Sequence, residues 1–207
     1  MAASPGSIPP ARCDSPATLA FVSDSLAPAL LVAMPQLLDP NFRRSVVLLI
    51  HHDAEGTFGV VLNRTTDIRA AQLCESIEID WHGDPTAEIY WGGPVQPQTG
   101  WVLFEADAVA EEDAEDVREV VPGIGFAGSL AVLRRMASEP PNRLRILLGY
   151  AGWGPGQLES ELAQGAWLVA PADPAVLFGT ELDAMWGRVV RSLGIEPATL
   201  VASRGVH

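Results

Sequence analysis

Three short apolar runs near the front of the chain constrain the fold most. They are ALLVAMP, running from Ala29 to Pro35 and bounded by prolines, with order beginning near Leu26, then Ser45 to His52, and Thr57 to Asn63, each rich in β-branched or aliphatic residues. The second and third are separated only by Asp53-Ala54-Glu55-Gly56, an acidic-glycine turn. Runs of this length divided by such a turn read as antiparallel strands joined in a hairpin. Glu88 to Val95 and Gly100 to Glu105 read as another pair of strands around a Pro-Gln-Thr-Gly turn, and Val117 to Phe126 as a further strand.

Helical signals fall between these runs. Asp67 is placed to cap a short helix with Ile68, Ala71 and Cys74 on one face. Ser129 is placed to cap a helix carrying Leu130, Leu133 and Met136, which Pro140-Pro141 ends. Near the C-terminus, Thr180 and Asp183 form a capping-box pattern ahead of Leu182, Met185, Trp186, Val189, Val190 and Leu193, and Gly194 stops the helix. The expected class is α+β: a single domain with a mixed, largely antiparallel sheet and flanking helices. The domain is expected over residues 26–207, behind a disordered Pro/Ala-rich tail over 1–25.

Composition excludes several function classes. Thirteen basic residues face 26 acidic ones, for a formal charge of −13, and every basic residue is an arginine. Without lysine there is no Schiff-base lysine, no lysine general base and no P-loop lysine. The acidic balance also disfavours direct nucleic-acid binding, which draws on counterion release at a basic face. Residues 105–119 concentrate eight carboxylates against Arg118 alone. That stretch reads as a solvated, self-repelling loop, with a metal site or acidic docking surface as the alternative. No run of 18 apolar residues is present, so no membrane span is expected. Cys13 and Cys74 are the two cysteines; Cys74 falls on a core position, and the scarcity of thiols fits a reducing cytoplasm.

The stretch from Arg143 onward has the look of a strand, Leu144 to Tyr150, running through a loop with Gly149, Gly152, Gly154 and Gly156 into a helix with Pro155 near its start. Backbone amides in such a loop make an anion cradle conceivable. The spacing is not GxGxxG, however, and Glu159 and Glu161 in the first helical turn would repel a phosphate. No catalytic constellation is recognised. His51, His52 and His82 lack metal-ligand spacing, and no GxSxG elbow occurs, so catalytic, metal and cofactor-binding residues are each set at none.

The stretches LLVAMPQLLDPNFRRSVVLLIHHDAEGTFGVVLNR, YWGGPV and LGYAGWGPGQLESELAQGAWL, in this order over residues 26–195, resemble the AlgH/YqgE family of small bacterial proteins. The matching positions are Pro35, Asp39, Phe42 and Ser45, then His52, Gly56, Gly59 and Asn63, then Gly92, Gly93 and Pro94. A last group comprises Gly149, Tyr150, Gly152, Trp153, Gln157, Glu159, Glu161 and Trp167. The resemblance implies one α+β domain with no established enzymatic activity or cofactor, and a transcriptional-regulator label that stems from one branch linked to alginate production. Two arrangements of the matched residues remain. Asn63, Arg64, Gly92, Gly93, Tyr150, Gly152, Gln157 and Glu159 line one cleft walled by Trp153, or the glycines fix turns while Asn63 and Glu159 cap backbone groups. The expectation is a non-enzymatic cytoplasmic protein with a protein or small-molecule partner, regulating transcription indirectly if at all. The alternative is an enzyme or nucleotide- or metabolite-binding protein using the Gly149–Gln157 loop. An arginine patch of Arg43, Arg44, Arg64 and Arg69 is the place where DNA contact would have to occur.

Overall fold

The computed structural model describes residues 25–108 and 111–202, so the expected tail over 1–25 lies almost wholly outside the described residues. Among the described residues ten strands and six α-helices are formed. The strands are β1 (Ala29–Ala33), β2 (Val46–Asp53), β3 (Gly56–Val61), β4 (Thr65–Arg69), β5 (Glu88–Trp91), β6 (Val95–Glu105), β7 (Arg118–Val121), β8 (Ile124–Ala127), β9 (Leu144–Trp153) and β10 (Trp167–Pro171). The helices are α1 (Ala70–Ser76), α2 (Leu130–Ser138), α3 (Gln157–Ala163), α4 (Pro174–Gly179), α5 (Leu182–Ser192) and α6 (Pro197–Ala202). The α+β class holds, with a single domain.

The sheet runs β10-β1-β2-β3-β9-β6-β8-β7. Every pairing is antiparallel except β5 with β9. One edge of the long β9 serves two partners in tandem: Ala151–Trp153 pair with β3, while Leu147 and Leu148 pair with β5. The sheet also curls strongly. An Nη1 of Arg118 on β7 comes within 3.4 Å of His51 Nδ1 on β2, although four strands separate them in the sheet order.

Strict alternation along the strands divides the core between two faces. Leu30, Val32, Leu48, Leu103 and Leu147 lie on the inner face of the curl, where Val176 and Leu177 of α4 and Met185, Trp186, Val189 and Val190 of α5 close over them. Leu31, Val47, Leu49, Ala151 and Trp153 face the other way, against Leu158 of α3. Farther along that outer face, Ile89, Val102, Phe104 and Ile146 pack under Val132 and Met136 of α2. Cys74 is free and fully buried, as its position in the pattern implies.

Several local expectations are corrected. The sequence pattern pairs Glu88–Val95 with Gly100–Glu105 as a hairpin, but β5 and β6 never pair: β9 lies between them, and Pro97 to Gly100 continue β6 through an irregular register instead of turning. Asp67 does not cap α1. It lies within β4, the helix starts at Ala70, and Ile68 is 40% exposed, so the buried face is Ala70 and Cys74. Val117 to Phe126 folds as a hairpin of β7 and β8, turning at Pro122-Gly123, not as one strand. The Thr180–Asp183 capping box is not made either. Glu181 occupies the N-cap of α5 without a side-chain bond, and the Thr180 hydroxyl is buried without a partner among the described residues. Ser129 does cap α2, its Oγ accepting from the Ala131 amide at 3.2 Å.

Candidate functional site

The glycine-rich stretch is mostly strand. β9 continues to Trp153, so Gly152 is a ladder residue paired with Phe58, Gly149 sits within the strand at φ +73° where the register with β6 shifts, and only Gly154 to Gly156 form a turn. Two of the glycines have a packing reason. A Cβ on Gly93 would sit 2.1 Å from the Tyr150 carbonyl carbon, and one on Gly149 would sit 2.3 Å from the Gly93 carbonyl oxygen. The segment after β5 thus crosses β9 backbone against backbone, a contact only glycine permits. The Gly92 amide donates to the Leu148 carbonyl, and its own carbonyl accepts from the Val61 amide, which stitches the junction where β3 and β5 share the edge of β9.

The turn before α3 is closed to an anion. The Gly154 amide donates to Gln157 Oε1 at 3.1 Å, and the Gln157 amide donates to the Gly154 carbonyl. Gly156 is the N-cap, one residue after Pro155, and α3 then carries Glu159 in its first turn. Glu161 sits one turn farther in, where it serves the core. Its Oε2 accepts from the Trp153 indole at 3.0 Å and the Trp167 indole at 2.8 Å, while its Oε1 accepts from Gln157 Nε2 at 2.9 Å. Phe42 stacks on Trp153 and meets Trp167 edge-on, completing an aromatic block on the outer face.

The remaining candidates fall in separate places. Asn63 Nδ2 donates to the Arg44 carbonyl and its Oδ1 accepts from the Val46 amide, both at 2.9 Å. The Arg64 guanidinium donates to the carbonyls of Pro40 and Arg43 and lies over the Trp91 ring. Burial pulls its pKa down, and Asp39 opposes that. Asn63 and Arg64 therefore brace the loop from Met34 to Ser45. Within it the Asp39 carboxylate accepts from the Asn41 amide, and the Ser45 hydroxyl donates to the Phe42 carbonyl.

Tyr150 projects to the inner face, with its ring 5.0 Å from Phe58, beside Trp101 and Phe126. With Gly152, His51 and Asp53 it lines an open hollow of about 500 Å³. In that hollow His51 Nε2 contacts Asp53 Oδ2 at 2.7 Å, and this contact holds the Asp53 carboxyl below its ordinary range. Glu159 lies on the outer side, 3.6 Å from the buried His52, whose Nδ1 meets Thr57 Oγ1 at 2.8 Å. The fold thus brings Gly92, Gly93 and Tyr150 together and pairs Asn63 with Arg64. Tyr150, Gly152 and Trp153 share the lining of the hollow beside His51, Trp153 with its ring packed in the outer core, while Asn63, Arg64, Gln157 and Glu159 make their contacts elsewhere. Among the described residues no group of three or more His, Cys, Asp or Glu side chains is placed to hold a metal.

Two arginines that sequence reasoning left apart share a hollow. Arg44, held at φ +53°, lies over the Trp186 ring at 5.4 Å. Arg191 of α5 lines the same open hollow of about 580 Å³, with Ala184, Gly187, Pro197, Ala198 and Asp183. The signal available beforehand was only the Arg-Arg pair beside Ser45; the helix partner is remote in sequence.

Comparison with known proteins agrees with this architecture. A family model described as AlgH-like matches residues 30–198. A UPF0301 protein of Myxococcus xanthus is 41% identical over 184 residues, covering 88% of this chain and 99% of its own length. The solution structure of the AlgH protein from Pseudomonas aeruginosa superposes with a TM-score of 0.70 at 34% identity, over 89% of this chain and 96% of that one. A crystal structure of a Corynebacterium diphtheriae protein gives 0.65 at 28% identity, over 84% and 88%. Among the described residues no helix is long and apolar enough to cross a membrane.

Proposed function

The chain belongs to the AlgH-like family, and from that premise we propose that it is a non-enzymatic protein acting through contacts with a protein or a small ligand, with any effect on transcription indirect. One observation carries the reading. Asn63, Arg64, Gln157 and Glu161, polar residues of the matched blocks or their immediate neighbours, commit their donors and acceptors to carbonyls, amides and indoles of their own chain. A general acid or base has to reach a proton on its substrate; these groups hold the fold instead.

Charge supports the indirect route. Arg64, part of the arginine patch singled out in the sequence, is folded onto the Pro40 and Arg43 carbonyls, while the whole chain carries −13. We take the protein to work in the cytoplasm, in keeping with a free, buried Cys74.

The test has two arms. Thermal-shift screening against metabolites, with each hit followed by proton NMR for conversion, is expected to give stabilisation without turnover; catalysed conversion of any hit overturns the reading. Fluorescence anisotropy with duplex DNA is expected to show no salt-dependent binding. Binding that is lost on joint Arg43→Ala and Arg44→Ala substitution overturns the indirect route.

A further inference from the structure

We infer that Arg44 and Arg191 form a binding site for the oxyanion of a small molecule, a carboxylate or a phosphate, in the hollow between the Met34–Ser45 loop and α5. The inference rests on the contact reading above and gives it a place and a ligand class.

The first ground is charge. Acidic residues outnumber arginines two to one in this chain, yet among the described residues neither Arg44 nor Arg191 has a carboxylate within ion-pair distance. Both side chains are exposed and line the same hollow. Guanidinium groups offer several N–H donors in a planar fork that matches the two oxygens of a carboxylate or phosphate.

The second ground is presentation. Arg44 is one of three non-glycine residues at positive φ among those described, a conformation that L residues rarely adopt. Asn63 holds its carbonyl, Arg64 holds the carbonyl of Arg43 before it, and the guanidinium comes to rest over the Trp186 ring. That indole is itself fixed, its Nε1 donating to the Ala33 carbonyl at 2.8 Å. On the same helix as Trp186, a Cβ at Gly187 would lie 3.6 Å from Arg191 Nη2, so the Arg191 guanidinium lies along α5 beside the hollow. Asn63 and Arg64 act as positioning residues for the site.

The third ground is shape. A hollow of about 580 Å³ lies within the range of small-molecule pockets, and Ala184, Pro197 and Ala198 give it apolar walls. Asp183 stands on the same helix eight residues before Arg191, about 12 Å away along α5. A carboxylate lining the hollow disfavours a polyanion such as a nucleic-acid backbone more than it disfavours a single anionic group held at the arginine end.

Isothermal titration of the full chain at constant ionic strength tests the site, with inorganic phosphate in one arm and succinate in the other. Saturable binding is expected in at least one arm. Phosphate alone would assign a phosphate ester, and succinate alone a carboxylate. Arg44→Gly suits the left-handed backbone and keeps the fold; it and Arg191→Gln are each expected to weaken binding about tenfold or more. Arg188→Gln, an exposed arginine on α5 outside the hollow, is expected to leave it unchanged. Asn63→Ala is expected to weaken binding while every other variant retains the native circular dichroism spectrum. The inference is overturned by no saturable binding of either anion up to about 50 mM, or by equal losses in Arg44→Gly, Arg191→Gln and Arg188→Gln. Such a failure leaves the contact reading intact, because catalysed turnover or DNA binding, measured separately, is what overturns that.

Discussion

Replacing Glu161 probes how much of the outer core hangs on one carboxylate. Glu161→Ala removes the acceptor for two indole N–H groups on side chains that are only 6% and 3% exposed, Trp153 and Trp167. Hydrogen bonds to a charged acceptor contribute roughly 1.5–3 kcal/mol each, and a buried donor left alone costs about 1–3 kcal/mol. Glu161 is half-buried, so water reaches part of the vacated space and the sum falls to about 2–4 kcal/mol. For a chain of this length each kcal/mol lowers Tm by roughly 2–4 °C, which puts the expected drop at about 5–15 °C. Glu161→Gln keeps one carbonyl acceptor for the indoles, so those two bonds persist as weaker neutral ones while the exposed Gln157 bond is lost, for about 1–2 kcal/mol in all. Urea unfolding followed by far-ultraviolet circular dichroism measures both without direct interference from the indoles. An Ala variant within about 0.5 kcal/mol of the native chain, or a Gln variant as damaged as the Ala variant, would refute the account of Glu161 as the indole acceptor.

Other outcomes follow from the same structure. Gly93→Ala drives a Cβ to 2.1 Å from the Tyr150 backbone and should destabilise by more than about 3 kcal/mol, whereas Gly156→Ala, at φ +71° with nothing within 4 Å, should cost only about 1 kcal/mol; similar urea midpoints for the two would remove the backbone-crossing argument. Arg145 is 4% exposed, donates to the Leu62 carbonyl, lies over Tyr90 and Phe178, and has no carboxylate in ion-pair range among the described residues, so Arg145→Met should cost less than about 2 kcal/mol in thermal unfolding; a larger loss would show that its charge is paired. The His51 contact lowers the Asp53 pKa first, with the Glu55 amide adding to it, so the pair stabilises the fold above the ordinary value of 3.8 and the contribution fades as pH falls through the depressed folded value. A carboxyl carbon NMR titration should give an Asp53 midpoint under 3.8, and a midpoint at or above it removes the His51–Asp53 hydrogen bond from the account.

The strands that were legible from the sequence are those whose pattern is local. β1, β2 and β3 are apolar runs, and the Asp53–Gly56 turn sits between the last two with the Asp53 carboxylate accepting from the Glu55 and Gly56 amides. What escaped was set by distant neighbours. Gly149 and Gly152 looked like loop residues because glycine weakens a strand, yet the crossing of Gly93 over β9 demands a bare backbone at Gly149. The pairing of β5 with β9 instead of β6 depends on a strand more than 50 residues later in the chain. Asp67 was a sound cap by type, but β4 pairing with β5 holds the backbone extended two residues too far for the cap to be used.

The same logic explains why the candidate site was only half visible. Residue type and order identified Asn63, Arg64 and Glu161 as unusual, but a polar side chain in a matched block is equally suited to face a ligand or to hold a backbone. Only the partner atoms separate the two, and here those atoms are the carbonyls of Pro40, Arg43 and Arg44 and the indoles of Trp153 and Trp167. The polar residues thus act one step away from the surface. Asn63 and Arg64 set the backbone from which Arg44 projects, and Trp186, tied to Ala33 on β1, supplies the platform on which its guanidinium rests. A surface arginine on a flexible stem would lose rotamer freedom on meeting an anion; one already stacked and braced loses less, which is the physical basis of the anion site proposed at the Met34–Ser45 loop.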